Sequence, residues 1–84
     1  MYYLIMCRSL TYAQRAANAL ERAGISARVL RSPAEISPAG CSYSVRIAQR
    51  HLSQALTVLK RSRLPYAGVY VGGSGYGGYR EVEP

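Results

Sequence analysis

The sequence predicts an α+β fold in a single small domain. Two kinds of segment alternate along its 84 residues. Short apolar or alternating stretches are typical of strands, and longer stretches with apolar residues three or four positions apart are typical of helices. With 49% hydrophobic and 18% charged residues, the composition is that of a globular chain. A chain of this length forms one small hydrophobic core, which argues against a deep, enclosed active site.

The first part of the chain predicts a helix between two strands. Residues 3–8 are mostly apolar and too few for a helix, so they predict a strand. Thr11 and Gln14 have the spacing of a capping box, and alanines then recur at helical spacing until Gly24. The alternating residues 25–31 predict the second strand. The alanines allow this helix to lie close to a sheet.

The second part repeats the pattern in the order strand, helix, strand. Residues 42–48 alternate and predict the third strand. The apolar positions from Leu52 to Leu59 form one stripe of a helix that ends before Pro65. A last short strand is predicted to end at Val71.

The resulting order is β-α-β-β-α-β. Because crossover connections are right-handed, this order predicts a ferredoxin-like sandwich, in which two helices cover one face of a four-stranded antiparallel sheet. Its first and third strands are then central and adjacent. We expect this domain to occupy residues 1–71. Residues 72–84 are rich in glycine and tyrosine and predict a flexible C-terminal tail, since glycine raises the entropy cost of ordering.

The charge of the chain is strongly positive. Eleven Lys and Arg residues face four Glu, which gives a net charge of +7. Such a surface favours anionic partners, whether RNA, an acidic protein surface or a phosphorylated ligand. No apolar run approaches the roughly 18 residues that a membrane span needs, and no basic residue precedes the apolar residues 2–7, as one would in a signal peptide. We therefore expect a cytoplasmic protein that does not enter membranes.

The candidates for metal binding and catalysis are few. Neither Cys7 nor Cys41 belongs to a C-x-x-C motif, His51 is the only histidine, and aspartate is absent. In a cytosolic chain the cysteines should be free thiols. We expect no metal, no cofactor and no enzymatic activity.

The predicted topology places Cys41 at a basic edge of the sheet. The end of the first strand, the start of the first helix, the loop before the third strand and the end of the second helix share this edge. A loop thiol beside a helix N-terminus and cationic side chains is in a setting that favours the thiolate. Cys7 ends the first strand and is expected near Cys41 as a thiol partner. The arginines that we expect to stabilise the thiolate or dock a partner are Arg8, Arg31, Arg61 and Arg63.

Each cysteine has a competing structural interpretation. Cys41 is equally explained as a small apolar residue that starts the next strand, since free cysteine is among the most buried residue types. Cys7 lies in a central strand, where core packing is the simpler explanation.

The elements described above contain a series of short motifs: R8-S-L-T-Y-A13, A23-G-I25, P33-A-E-I-S37, Cys41 with the strand containing Arg46, L64-P65 and G68-V-Y70. In these motifs the chain resembles the selenium/sulfur carrier protein-like family of small bacterial domains, over about residues 2–71. The family pattern has a Cys-Gly pair at the end of the loop and an aromatic residue at the end of the first strand; here Ser42 and Cys7 occupy those positions.

The resemblance implies a non-catalytic carrier or adaptor in sulfur or selenium trafficking. Cys41 would accept sulfur from a donor such as a cysteine desulfurase, hold it as a persulfide and pass it to an acceptor protein.

Two other hypotheses remain open at this point. In the predicted fold the helix-free sheet face is the surface that RNA-recognition modules use, and Tyr3 and Tyr43 would stack bases there. Packing of both rings against neighbouring strands is the competing interpretation. The chain would otherwise be a regulatory domain that binds a small ligand and forms a homodimer through its sheet.

Overall fold

A computed structural model describes residues 1–37, 42–72 and 78–82 of the chain as two α-helices and five strands, an α+β fold. A short 3-10 turn over Gln49–His51 leads into the second helix. The elements, in chain order, are β1 Tyr2–Cys7, α1 Leu10–Arg22, β2 Arg28–Arg31, β3 Tyr43–Ala48, α2 Leu52–Arg61, β4 Gly68–Gly72 and β5 Arg80–Val82.

All strand pairs in the sheet are antiparallel, and the strand order is β2-β3-β1-β4-β5. The predicted adjacency of the first and third strands is confirmed: β1 pairs with β3 from Tyr2 opposite Ala48 to Cys7 opposite Tyr43. Buried residues of α1 and α2 join those of β1 and β3 in one core cluster. Because that cluster contains Ile5 and its partner Val45, both helices cover the same face of the sheet.

The expectation of a four-stranded sheet is wrong, because a fifth strand lies within the predicted tail. β5 pairs with β4, with Arg80 opposite Val71. Gly78 adopts a φ of 92°, a conformation suited to glycine, just before β5. The ring of Tyr79 then packs over Gly72, where a Cβ would lie 2.5 Å from a ring carbon. The rest of the predicted tail, residues 73–77 and 83–84, lies outside the described residues.

Helix α1 is set by its two ends. It begins at Leu10 rather than Thr11, with Ser9 as the N-cap: the Ser9 hydroxyl accepts a hydrogen bond from the Tyr12 N–H at 3.3 Å. The predicted stop at Gly24 is confirmed. This residue has a φ of 84°, in the left-handed region that glycine enters without steric cost.

The buried face of the sheet packs closely against α1. Ala13, Ala16 and Ala17 are buried on the helix, and their small side chains let its backbone approach Ile5 and Val45. The sheet therefore has a buried face towards the helices and a second, helix-free face.

The helix-free face is not fully exposed to solvent. Leu4 points away from the helices, opposite Arg46 on β3 and Tyr70 on β4, yet it is fully buried. No helix among the described residues has the length and apolar character of a membrane span.

Candidate functional site

The carrier thiol predicted at Cys41 lies outside the described residues, as do residues 38–40. Ser37 and Ser42, on either side of this segment, are described. The Ser42 hydroxyl donates a hydrogen bond to the Ser37 hydroxyl at 2.8 Å. The backbone carbonyl of Ser42 accepts a hydrogen bond from the Ser32 N–H at 3.1 Å. The two chain segments that flank residues 38–41 are therefore tied together.

A buried pair of hydroxyl groups supports this junction. The side-chain oxygens of Ser32 and Ser44 are 2.7 Å apart, and the two residues are 5% and 0% exposed. Each hydroxyl satisfies the other, so neither is left without a partner in the interior. The bond fixes the residue after β2 to the second residue of β3, directly beside Ser42.

Two of the predicted arginines lie at the edge of the sheet that carries Ser42. Arg31 is opposite Tyr43, and its guanidinium carbon is 5.9 Å from the centre of the tyrosine ring. Arg8 follows Cys7, which is also opposite Tyr43, and is exposed. Ser9 then starts α1, so the positive end of this helix lies at the same edge.

Arg61 and Arg63 lie at the C-terminal end of α2 and are exposed. Arg63 has a φ of 55°, which reverses the chain after the helix. The chain then enters β4 at the same edge, where the Ala67 N–H donates to the Met6 carbonyl at 2.7 Å.

Cys7 is a core residue. Its side chain is fully buried, and its thiol donates to the Ile5 carbonyl at 3.7 Å. Burial raises the pKa of this thiol to about 11, so it stays protonated at neutral pH. The structure supports core packing, the competing interpretation of Cys7. The distance from Cys7 to Cys41 lies outside the described residues.

Tyr3 and Tyr43 lie on the helix-covered face, where both pack against the core cluster. The RNA hypothesis needs them on the helix-free face, and the pleat of β1 and β3 turns them the other way. Tyr2 and Tyr70, which were not predicted as site residues, lie on the helix-free face, and Tyr79 packs over Gly72 on the same side. The alternation along each strand was the available signal: Tyr2 and Tyr70 are an odd number of positions from Ile5 and Val69, which are buried in the core, and therefore lie on the opposite face.

A second group of polar side chains lines a pocket at the opposite edge of the sheet, with a volume of about 410 Å³. Arg28, Arg46 and Arg50 line it together with Tyr2 and His51. This site could not be predicted from the sequence because its residues are far apart along the chain. The register of β2 against β3, which brings Arg28 opposite Arg46, was needed to find it.

Tyr2 connects the pocket to the C-terminal strand. The guanidinium carbon of Arg46 is 4.1 Å from the centre of the Tyr2 ring, and the Tyr2 and Tyr79 hydroxyl oxygens are 2.8 Å apart. This hydrogen bond, together with partial burial, raises the pKa of Tyr79 to about 12. Among residues 1–37, 42–72 and 78–82, no group of three or more His, Cys, Asp or Glu side chains is placed to hold a metal ion.

A family model described as "Putative Se/S carrier protein-like" matches residues 2–71. No curated protein and no solved structure matches the chain. The matched span includes both cysteines and every element from β1 to α2, as well as most of β4, whereas β5 follows it. The resemblance noted in the sequence is thus confirmed over most of the chain, which belongs to this selenium/sulfur carrier protein-like family.

Proposed function

We propose that the chain is a non-catalytic sulfur or selenium carrier and that Cys41 is its acceptor thiol. The observation that carries the proposal is the position of Ser42, the residue bonded to Cys41. Ser42 lies at the edge of the sheet that also presents Arg8, Arg31 and the start of α1. Cationic side chains and a helix N-terminus at one edge favour a thiolate, the form of cysteine that accepts sulfur.

The transfer step needs no added oxidant. The Cys41 thiolate attacks the outer sulfur of a persulfide on a donor such as a cysteine desulfurase. A sulfur–sulfur bond forms on Cys41, the bond between the two donor sulfurs breaks, and its electron pair leaves with the donor thiolate. An acceptor thiolate attacks the outer sulfur of the Cys41 persulfide in the same way. The transfer of selenium follows the same steps, with selenium in place of the outer sulfur.

Cys7 is unsuited to this role. Its burial excludes a protein-sized donor, and a pKa of about 11 leaves almost no thiolate at neutral pH. Its part is to fill the core beneath the edge, while the exposed arginines dock an acidic surface of the donor or acceptor. Arg8 and Arg31 are closest along the strands to Ser42, and Arg61 and Arg63 extend the same basic region.

We do not propose RNA binding through Tyr3 and Tyr43. Both rings pack against the core cluster on the face that the helices cover, whereas RNA-recognition modules stack bases on the helix-free face.

The carrier proposal is tested by thiol reactivity and intact mass. At neutral pH, Cys41 should react with iodoacetamide faster than free cysteine does. It should also gain roughly 32 Da when a desulfurase and cysteine are supplied. Cys41→Ser should abolish both, and Cys7→Ala should retain both.

Arg31→Gln should slow alkylation by removing a cation near Ser42. Arg15→Gln, which removes an equal charge from the exposed side of α1, is the matched control. If Cys41 alkylates no faster than free cysteine and no persulfide forms, the carrier proposal fails.

A further inference from the structure

The basic pocket lies at the opposite edge of the sheet from Ser42. It opens where β1 and β2 begin and β3 ends, next to the 3-10 turn that precedes α2. Tyr2 and Cys7 mark the two ends of β1, and five residue steps along a strand span about 17 Å. The pocket therefore lies at the end of β1 away from Ser42.

Two arginines in this pocket face each other across neighbouring strands. Arg28 and Arg46 are direct partners across β2 and β3 on the helix-free face, an arrangement in which like charges destabilise a sheet. Arg50 adds a third guanidinium group, and no described residue of the lining is acidic. Glu21 accepts a hydrogen bond from the Ala27 N–H at 3.3 Å, beside the start of β2. An anion between the guanidinium groups would turn their repulsion into attraction.

The stacking of Arg46 on Tyr2 orients one guanidinium group for anion binding. With its carbon 4.1 Å from the ring centre, Arg46 lies over the face of the aromatic ring. Stacking uses the flat face of a guanidinium and leaves its N–H groups, which lie in the plane, available to an oxyanion. The hydrogen bond of Tyr2 to Tyr79 holds the ring in turn.

The start of α2 strengthens the positive potential. Neither Ala48, before the 3-10 turn, nor His51, before α2, makes a side-chain capping bond, and no acidic residue occupies the first turn. The positive end of the helix is thus not neutralised by its own sequence. Because Arg50 and His51 belong to this turn and line the pocket, the potential acts at the pocket that Arg28 and Arg46 also line.

We propose that this pocket binds a small ligand through a diphosphate group. Three guanidinium groups match the multiple charges of a diphosphate, and arginine recognises phosphate oxygens in pairs. The volume of about 410 Å³ is within the range of small-molecule sites. An open pocket confined to one edge of the sheet fits a small ligand better than an RNA strand, which would need a basic track across the sheet. This ligand-binding site is additional to the proposed carrier function and does not depend on Cys41.

Calorimetric titration with inorganic pyrophosphate tests the proposal on the full chain. Pyrophosphate should bind in low salt, and sulfate at the same concentration should bind more weakly because it carries less charge. Arg46→Gln should weaken pyrophosphate binding at least about tenfold, since a charge-assisted hydrogen bond is lost. Arg28→Gln should act in the same direction, and it keeps the test decisive if Arg46→Gln is poorly folded.

The matched control is Arg15→Gln, which lowers the net charge equally on the far side of α1 and should change affinity less than about twofold, as charge screening predicts. Tyr2→Phe keeps the aromatic ring under Arg46 and should bind well, whereas Tyr2→Leu should bind weakly. The proposal is overturned by an equal loss in Arg15→Gln and Arg46→Gln, or by no pyrophosphate binding. It is also overturned if single-stranded RNA binds and pyrophosphate does not displace it. Alkylation of Cys41 should be unchanged in Arg46→Gln, which separates this result from the carrier proposal.

Discussion

Arg28 and Arg46 lie directly opposite each other on neighbouring antiparallel strands, both exposed on the helix-free face. Their repulsion costs stability as long as no anion lies between them. We expect Arg28→Gln to raise the free energy of unfolding by about 0.5 kcal/mol in low salt, because it removes a like-charge cross-strand pair.

Urea denaturation at two salt concentrations would measure this gain, which should shrink as salt screens the charges. Arg15→Gln should show a smaller change at both concentrations. A loss of stability in Arg28→Gln at low salt would contradict the prediction. If Arg28→Gln is more stable but binds pyrophosphate more weakly, Arg28 contributes to pyrophosphate binding while its repulsion with Arg46 lowers stability.

Cys7 should make the domain less stable at alkaline pH. Burial raises the pKa of its thiol from its ordinary value of 9.0 to about 11. Below pH 9 the thiol is protonated in both states. Between pH 9 and 11 the unfolded chain releases the proton while the folded chain keeps it, so the free energy of unfolding falls as pH rises, by about 3 kcal/mol in total at about 1.36 kcal/mol per pKa unit.

Urea denaturation from pH 8 to 11 on the native chain and on Cys7→Ala measures this contribution. The variant should lose about 1 kcal/mol at neutral pH from its small cavity and then fall less steeply. The two proteins differ only at residue 7, so the difference between the curves isolates the thiol. Parallel curves would show that Cys7 ionises equally in the folded and unfolded states.

The hydrogen bond between Ser32 and Ser44 should be a stabilising pair. Ser44→Ala leaves the Ser32 hydroxyl buried without its partner, which costs about 1–3 kcal/mol. The double variant Ser32→Ala/Ser44→Ala should lose less than the sum of the single variants, because it removes both polar groups together. A double-mutant cycle by urea denaturation gives the coupling energy. Additive losses would mean that the two hydroxyls do not stabilise each other.

Gly72→Ala should displace the C-terminal strand. A Cβ at this position would lie 2.5 Å from a ring carbon of Tyr79, so the ring must move and its hydrogen bond to Tyr2 is lost. Amide hydrogen exchange of residues 80–82 should become faster, while exchange in β1 and β3 should change little. In the Tyr79→Ala background the same glycine substitution should have almost no further effect. Unchanged protection of residues 80–82 in Gly72→Ala would contradict this packing.

The element order of the fold could be predicted from the sequence because its periodicity is local. The alanine spacing of α1 and the stop at Gly24 were sufficient for that helix, although its cap is Ser9 and not Thr11. The fifth strand was missed because its pairing depends on Tyr79 packing over a glycine seven residues earlier in the chain. Glycine content alone predicts flexibility and carries no information about such a contact.

The candidate sites show the same limit. The arginine-bearing edge could be predicted from strand and helix order, since Arg8 and Arg31 are at strand ends. The side on which a tyrosine lies depends on the register, and a shift of one residue exchanges the faces. Tyr2 and Tyr3 are neighbours in sequence, yet one lies under Arg46 in the basic pocket and the other packs in the core.

Strand β5 has a consequence for self-association. It occupies the outer side of β4 and follows the span that the family model matches, which ends at residue 71. Without β5, β4 would present a row of unpaired N–H and C=O groups, to which a strand of another molecule can add. The C-terminal segment therefore makes the three-residue β5, in place of the five-residue β4, the edge strand, and a shorter edge strand offers fewer backbone groups for pairing with another molecule.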